Sequence, residues 1–271
     1  MMMGFGCSVP AIMATRNLEN EKDRRITMML IPFMSCSAKM PVYSMFILAF
    51  FPARRGLVVG SLYLLGLLVA VASAFVLQKT VLKGGHAPFV MELPPYRLPT
   101  AKTLGLHLYD KIKDFMTKAG TVLLGASVVI WFCQYFNFSL QHVENSEESI
   151  LRVVGSVIAP IFAPLGCGDW KSSVSMLTGL IARESIVSTM GILHGAGEAG
   201  AVSEIISAVY TPAAAYSFMV FSLLFIPCMA AVATLRREMN SKKWTAIALG
   251  FQAVTAWVIT FIVYNICKVI L

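Results

Sequence analysis

Long apolar runs separated by short basic or proline-rich segments set the pattern of this chain. About 20 predominantly apolar residues are enough to cross a bilayer, and residues 26–51 and 57–78 are the first two runs of that kind. A third covers 119–138, and two more cover 212–235 and 244–270. Residues 150–165 form a shorter run interrupted by Pro160 and Pro164, which suits a re-entrant segment as well as a crossing. The run 172–193 is apolar except for Arg183 and Glu184 at its centre. The expected fold is an all-α, polytopic helical membrane protein with Pro- and Gly-broken or re-entrant helices.

The polar segments orient these runs. Residues 1–11 are too short to span and place Gly and Pro around Cys7, as at the tail of a broken element. Arg16 to Arg25 interleaves Arg16, Lys22, Arg24 and Arg25 with Glu19, Glu21 and Asp23, giving a solvated loop or helix end on the cytoplasmic side. Residues 52–56 turn the chain into the second run. The segment 79–118 carries Pro88, Pro94, Pro95 and Pro99, which exclude a regular helix at its centre. Beyond Lys102, the spacing of Leu104, Leu108, Ile112 and Phe115 predicts an amphipathic interfacial helix. Seven basic residues between 79 and 118 return the chain to the cytoplasmic side, and three glutamates in 141–149 suit the opposite face. Arg236, Arg237, Lys242 and Lys243 are again cytoplasmic. The chain therefore divides into 1–25, the end of a preceding element plus a loop; 26–78, two spans; 79–118, a loop and interfacial helix; and 119–271, a second broken region with the last spans.

Composition excludes a soluble domain. The chain is 57% hydrophobic and only 13% charged, where roughly 25% charged is usual for soluble domains, and its mean hydropathy is +0.73. A net charge of +8 would suggest nucleic acid in a soluble chain; here the basic residues sit between apolar runs, set orientation and meet anionic lipid headgroups, so no nucleic-acid partner is expected. Cysteines at 7, 36, 133, 167, 228 and 267 show no Cys-x-x-Cys or zinc spacing, so neither a disulfide framework, a structural zinc nor a thiol–disulfide enzyme is expected. His86, His107, His142 and His194 show no ligand spacing. The amino terminus lacks a signal-peptide pattern.

Candidate chemistry concentrates where proline interrupts apolar runs. Residues 31–41 place Cys36 and Lys39 between Pro32 and Pro41, so the helix should be kinked or broken at both, freeing carbonyls beside sulfur. On a helix, Cys36 and Met40 would share one face, with Lys39 on its flank. Cys7 precedes Pro10, and Cys228 follows Pro227. Soft sulfur donors suit transition metals, whereas Mg and Ca sites are built from oxygen. The alternative is ordinary apolar packing of Cys and Met with Lys39 reaching the surface. Glu184 at mid-span needs pairing, hydration or protonation. A helix would put it on one face with Leu180, Ser188 and Gly191, and the alternative is a structural ion pair with Arg183 or a basic residue elsewhere.

In register, Gly4-Phe5-Gly6-Cys7-Ser8-Val9-Pro10-Ala11, the Pro32 to Pro41 segment, Pro88 to Pro94, Thr178 to Gly191, and Ala213 to Tyr216 with Ile226-Pro227-Cys228 resemble the carboxy-terminal half of the membrane domain of the ferrous iron transport protein B (FeoB) family. The resemblance covers nearly the whole chain. It implies Fe(II) as the transported ion rather than a bound cofactor, two gate regions lining its path, and metal ligands at Cys7, Cys36, Cys228 and Glu184, with Met40 and Ser188 as secondary candidates. It further implies a multi-pass protein of the bacterial inner membrane in contact with lipid, a homo-oligomer, and a FeoA-like small protein as partner. Deprotonated thiols are the strong ligands, so uptake should weaken on acidification. The family's GTPase part and first gate half have no counterpart in this sequence, which contains no G-x-x-x-x-G-K-[ST] loop. The chain is thus expected not to be an enzyme but a split subunit, a fragment, or a non-transporting remnant or assembly module of such a transporter. Ser37 stands where the family usually has Gly, and Arg183 where it often has Lys.

Overall fold

A computed structural model describes residues 2–18, 20–80, 149–194 and 206–270, with scattered positions between 100 and 132. Every element among them is helical. In chain order they are α1 (Ser8–Ala14), α2 (Glu21–Leu30), α3 (Met40–Phe50), α4 (Arg55–Thr80), α5 (Ile150–Phe162), α6 (Trp170–Ile181), α7 (Ser185–Leu193), α8 (Pro212–Leu224), α9 (Met229–Met239) and α10 (Lys242–Ile270). Among the described residues four stretches are long and apolar enough to cross a membrane, or five if α5 and α6, bent by 100° at their junction, count as one. The loop, interfacial helix and third span expected over 79–138 lie mostly outside the described residues.

Local chemistry explains where the helices start and stop. Asn20 caps α2 by accepting from the Lys22 N–H at 3.1 Å, and Glu21 and Asp23 follow in the first turn. Part of the expected solvated run 16–25 is therefore helix. Thr211 caps α8 by accepting from the Ala214 N–H, with Pro212 at the first helical position. Pro32 tightens the end of α2 into the 3-10 turn Ile31–Phe33, and Met34 and Cys36 are extended. A second 3-10 turn, Ser37–Lys39, leads into α3, where Pro41 sits in the first turn. The first apolar run is thus broken between its prolines, as their ring geometry requires. At 163–168 the chain tightens through Pro164 and turns at Gly166, whose φ of 79° L side chains rarely adopt and where an added Cβ would run into the Tyr264 ring.

One break was not expected: residues 172–193 form α6 and α7 rather than one helix, interrupted at Ala182, Arg183 and Glu184. The run 212–235 separates into α8 and α9 at 225–228, where Pro227 interrupts it as expected.

The core is built around α8, which is buried on nearly every side. Phe46 of α3 packs against Phe218 with ring centroids 4.9 Å apart, and Phe162 of α5 meets Phe221 edge-on at 5.1 Å. On the other side α10 presents Ala248, Gln252, Ala256 and Thr260, all fully buried and four residues apart, to the interior. Gly66 lets α4 press against the 31–33 turn, where an added Cβ would stand 2.9 Å from the Phe33 carbonyl.

The basic loops meet at one end. Arg16 donates through Nε to Glu238 Oε2 at 2.8 Å and pairs its Nη2 with Oε1, while Arg24 donates to the Glu238 carbonyl at 2.6 Å. The hydrogen bond to Glu238 holds Arg16 above its ordinary pKa. Arg25 lies 4.9 Å over the Trp244 ring. This agrees with the common side assigned to 16–25 and 236–243 from their charge.

Candidate ion site

Four chain interruptions converge on one cavity of about 170 Å³. Cys7, Cys36, Cys228 and Glu184 all line it, together with Lys39 and Arg183. Each of the first four occupies the residue just before a helical segment: Cys7 before α1, Cys36 before the Ser37–Lys39 turn, Glu184 before α7, and Cys228 before α9. Unpaired N–H groups at helix starts favour negative charge in front of them. Cysteine side chains and a carboxylate are the groups the chain supplies there.

Hydrogen bonds tie the interruptions together. Ser37 donates to the Gly6 carbonyl twice, from its backbone N–H at 3.3 Å and from its hydroxyl at 3.1 Å, which fixes the Cys36 segment beside the Cys7 segment. The Ser37 hydroxyl therefore adds a second bond between the two cysteine loops. Lys39 Nζ donates to the carbonyls of Pro32 at 3.4 Å, Met34 at 3.0 Å and Leu223 at 2.7 Å. Arg183 donates to the carbonyls of Ser222, Phe225 and Ile226, the middle one at 3.1 Å. Both cations are almost wholly buried, at 3% and 5% exposure, and among the described residues neither pairs with a carboxylate.

These contacts change what the sequence suggested. The carbonyls freed at Pro32 and at the end of α8 exist, but protein cations fill them, so Pro32 does not offer an open oxygen ligand. Arg183 is turned to carbonyls and not to Glu184. Glu184 is exposed rather than buried in a span, which leaves its carboxylate open to solvation. Cys36 is not on a helix, so it shares no helix face with Met40; Met40 begins α3 at 38% exposure and is not part of the cavity wall. The break at 182–184 likewise removes Glu184 from the expected face with Leu180; Ser188 is exposed on α7, away from the cavity wall. Among the described residues, no three His, Cys, Asp or Glu side chains form a ready metal cage. The donors surround the cavity instead of closing on one point, and weak, multi-site binding is what conduction requires.

The contacts of the two buried cations are what reading the residues missed. Lys39 and Arg183 were visible as intramembrane charges, yet the Leu223 carbonyl that Lys39 meets and the carbonyls that Arg183 meets lie 184 and about 40 positions away, which no side-chain spacing can disclose.

Discontinuous helices whose ends meet around one cavity, in a chain with several membrane-length helices, define a polytopic helical membrane protein. Two family models match: one described as nucleoside recognition over residues 1–50 and 116–242, the other as ferrous iron transport protein B C terminus over 59–111. The chain belongs to the ferrous iron transport protein B family. A relative from Staphylococcus aureus (strain COL), an Fe(2+) transporter FeoB, is 47% identical over 98% of this chain and 40% of its own length. An Fe(2+) transporter FeoB from Methanocaldococcus jannaschii is 35% identical over 97% of this chain and 40% of its own length. A Porphyromonas gingivalis relative, an Fe(2+) transport protein A/Fe(2+) transporter FeoB fusion protein, is 37% identical over 98% of this chain and 37% of its own length. The chain thus spans about 40% of the curated relatives it matches. No solved structure matches it.

Proposed function

We propose that this chain is the carboxy-terminal gate part of an Fe(II) permease of the bacterial inner membrane, and that its cavity is a transient foothold for the ion. The observation that carries the reading is the convergence of Cys7, Cys36, Cys228 and Glu184, up to 221 positions apart, on one cavity between helix breaks. Sulfur selects a borderline transition metal over Mg and Ca, and the Glu184 carboxylate offsets the ion's charge. Each donor sits at a helix start, where negative charge is favoured, so sulfur ligation on metal binding is available without a closed cage. In this reading GTP hydrolysis and the first gate half belong to the portion of the relatives that this chain does not match. The fusion relative supports a FeoA-like small protein as partner, and a homo-oligomer would surround the lipid-facing helices with further copies.

The test is Fe(II) uptake by vesicles containing the whole transporter with Cys36→Ser or Glu184→Ala in this region. Uptake should fall in both while the protein stays folded. Wild-type rates in both would remove the site from the ion's route.

A further inference from the structure

The end of α8 is a cation site in its own right. The last carbonyls of a helix have no intrahelical partners and carry the negative end of its dipole, and broken helices in transporters present such ends to cations. Here Leu223 lies in the last turn of α8, and its carbonyl joins those of Pro32 and Met34, from the break between α2 and α3, around one point. The Lys39 ammonium occupies that point. It has three N–H donors and three oxygen partners, drawn from two interrupted spans.

Lys39 and Arg183 bracket the same helix end, yet they differ in how they hold it. Arg183 grips Ser222, Phe225 and Ile226 with a planar fork and also reaches the Ser222 hydroxyl at 3.5 Å. Lys39 is a point charge on a flexible stem, three residues from Cys36 and in the wall of the cavity lined by the thiols. A divalent cation arriving among those thiols would meet an ammonium with no carboxylate partner. Like charges in a poorly solvated site repel strongly.

We propose that Lys39 is a tethered cation that fills the carbonyl ring between the two broken spans, keeps the route closed at rest, and is displaced when a transported ion enters. The ring itself is then a site for a primary ammonium. The inference rests on the cavity lying on the ion's route, as proposed above, only for its flux readout; occupancy of the ring by an ammonium stands apart from it.

The experiment uses the whole transporter in proteoliposomes, with Lys39→Met, which keeps most of the stem and removes the charge. Passive Mn(II) entry without nucleotide should rise by about tenfold or more, the least expected when a charge worth a few kcal/mol in a span is taken out of the way. Methylammonium chloride should restore tightness by refilling the ring, and tetramethylammonium chloride at the same ionic strength, having no N–H, should not. If Lys39→Met does not fold in ordinary buffer, methylammonium present during purification should recover folded protein, and failure to do so overturns the proposal. A variant as tight as wild type, or a leak indifferent to methylammonium, also overturns it. If Lys39→Met is tight while Cys36→Ser lowers Fe(II) uptake, the plug fails and the ion route stands. If both behave as wild type, the route fails with it.

Discussion

The uninterrupted helices α4 and α10 and the broken stretches around the cavity solve the same problem in opposite ways. Over their most apolar windows, α4 and α10 are 28% and 22% buried, whereas the broken stretches 21–50 and 212–239 are 50% and 56% buried. A continuous helix satisfies its own backbone and can face lipid; a broken one exposes carbonyls and N–H groups that must be met inside the protein. Here the carbonyls are met by Lys39 and Arg183, and the helix starts are faced by Cys7, Cys36, Cys228 and Glu184. Charge in the interior of this protein is therefore the counterpart of discontinuity, and the cavity lies where the two coincide.

The sharpest way to break that comparison is Arg183→Met. It leaves the carbonyls of Ser222, Phe225 and Ile226 without their donor, and at about 1–3 kcal/mol for each orphaned group the loss should be about 3–9 kcal/mol, read as a large fall in the thermal unfolding midpoint. Gly66→Ala comes next: the new Cβ would crowd the Phe33 carbonyl and should cost about 1–3 kcal/mol. Gly60→Ala on the same helix meets nothing within 4 Å and should stabilise by up to about 1 kcal/mol; equal effects at the two positions would contradict close packing of α4 on the break. Glu238→Gln removes the anion shared by Arg16 and Arg24 and should cost about 1 kcal/mol, because the Arg16 side chain is 45% exposed and screened. Truncating the exposed Leu64 or Val258 to Ala should change stability by less than about 0.5 kcal/mol.

Much of this was legible in the residues, for reasons that differ by region. Hydropathy over about 20 residues finds α4 and α10 because their backbones need nothing from elsewhere. Pro32 and Pro41 disclosed the first break, since proline cannot complete an internal helix. The break at 182–184 carries no proline or glycine; Arg183 is drawn out of the helix to the carbonyls of α8, a tertiary contact that outweighs local propensity. Pro227 marked the end of α8, but how far the break extends depends on the same guanidinium. The three cysteines and Glu184 were identifiable through the family resemblance, and their convergence on one cavity came only with the fold. Met40 and Ser188 were placed by helical spacing that the chain does not keep at either break, which is why neither reaches the cavity.

The most direct measurement of the central claim is metal protection of the thiols in the whole transporter under anaerobic conditions. Fe(II) at about ten times its Kd should slow alkylation of Cys7, Cys36 and Cys228 together by about tenfold, leave Cys267 on α10 unaffected, and have no counterpart with Mg(II). Unchanged alkylation of the three cavity thiols, or equal protection of Cys267, would contradict the account.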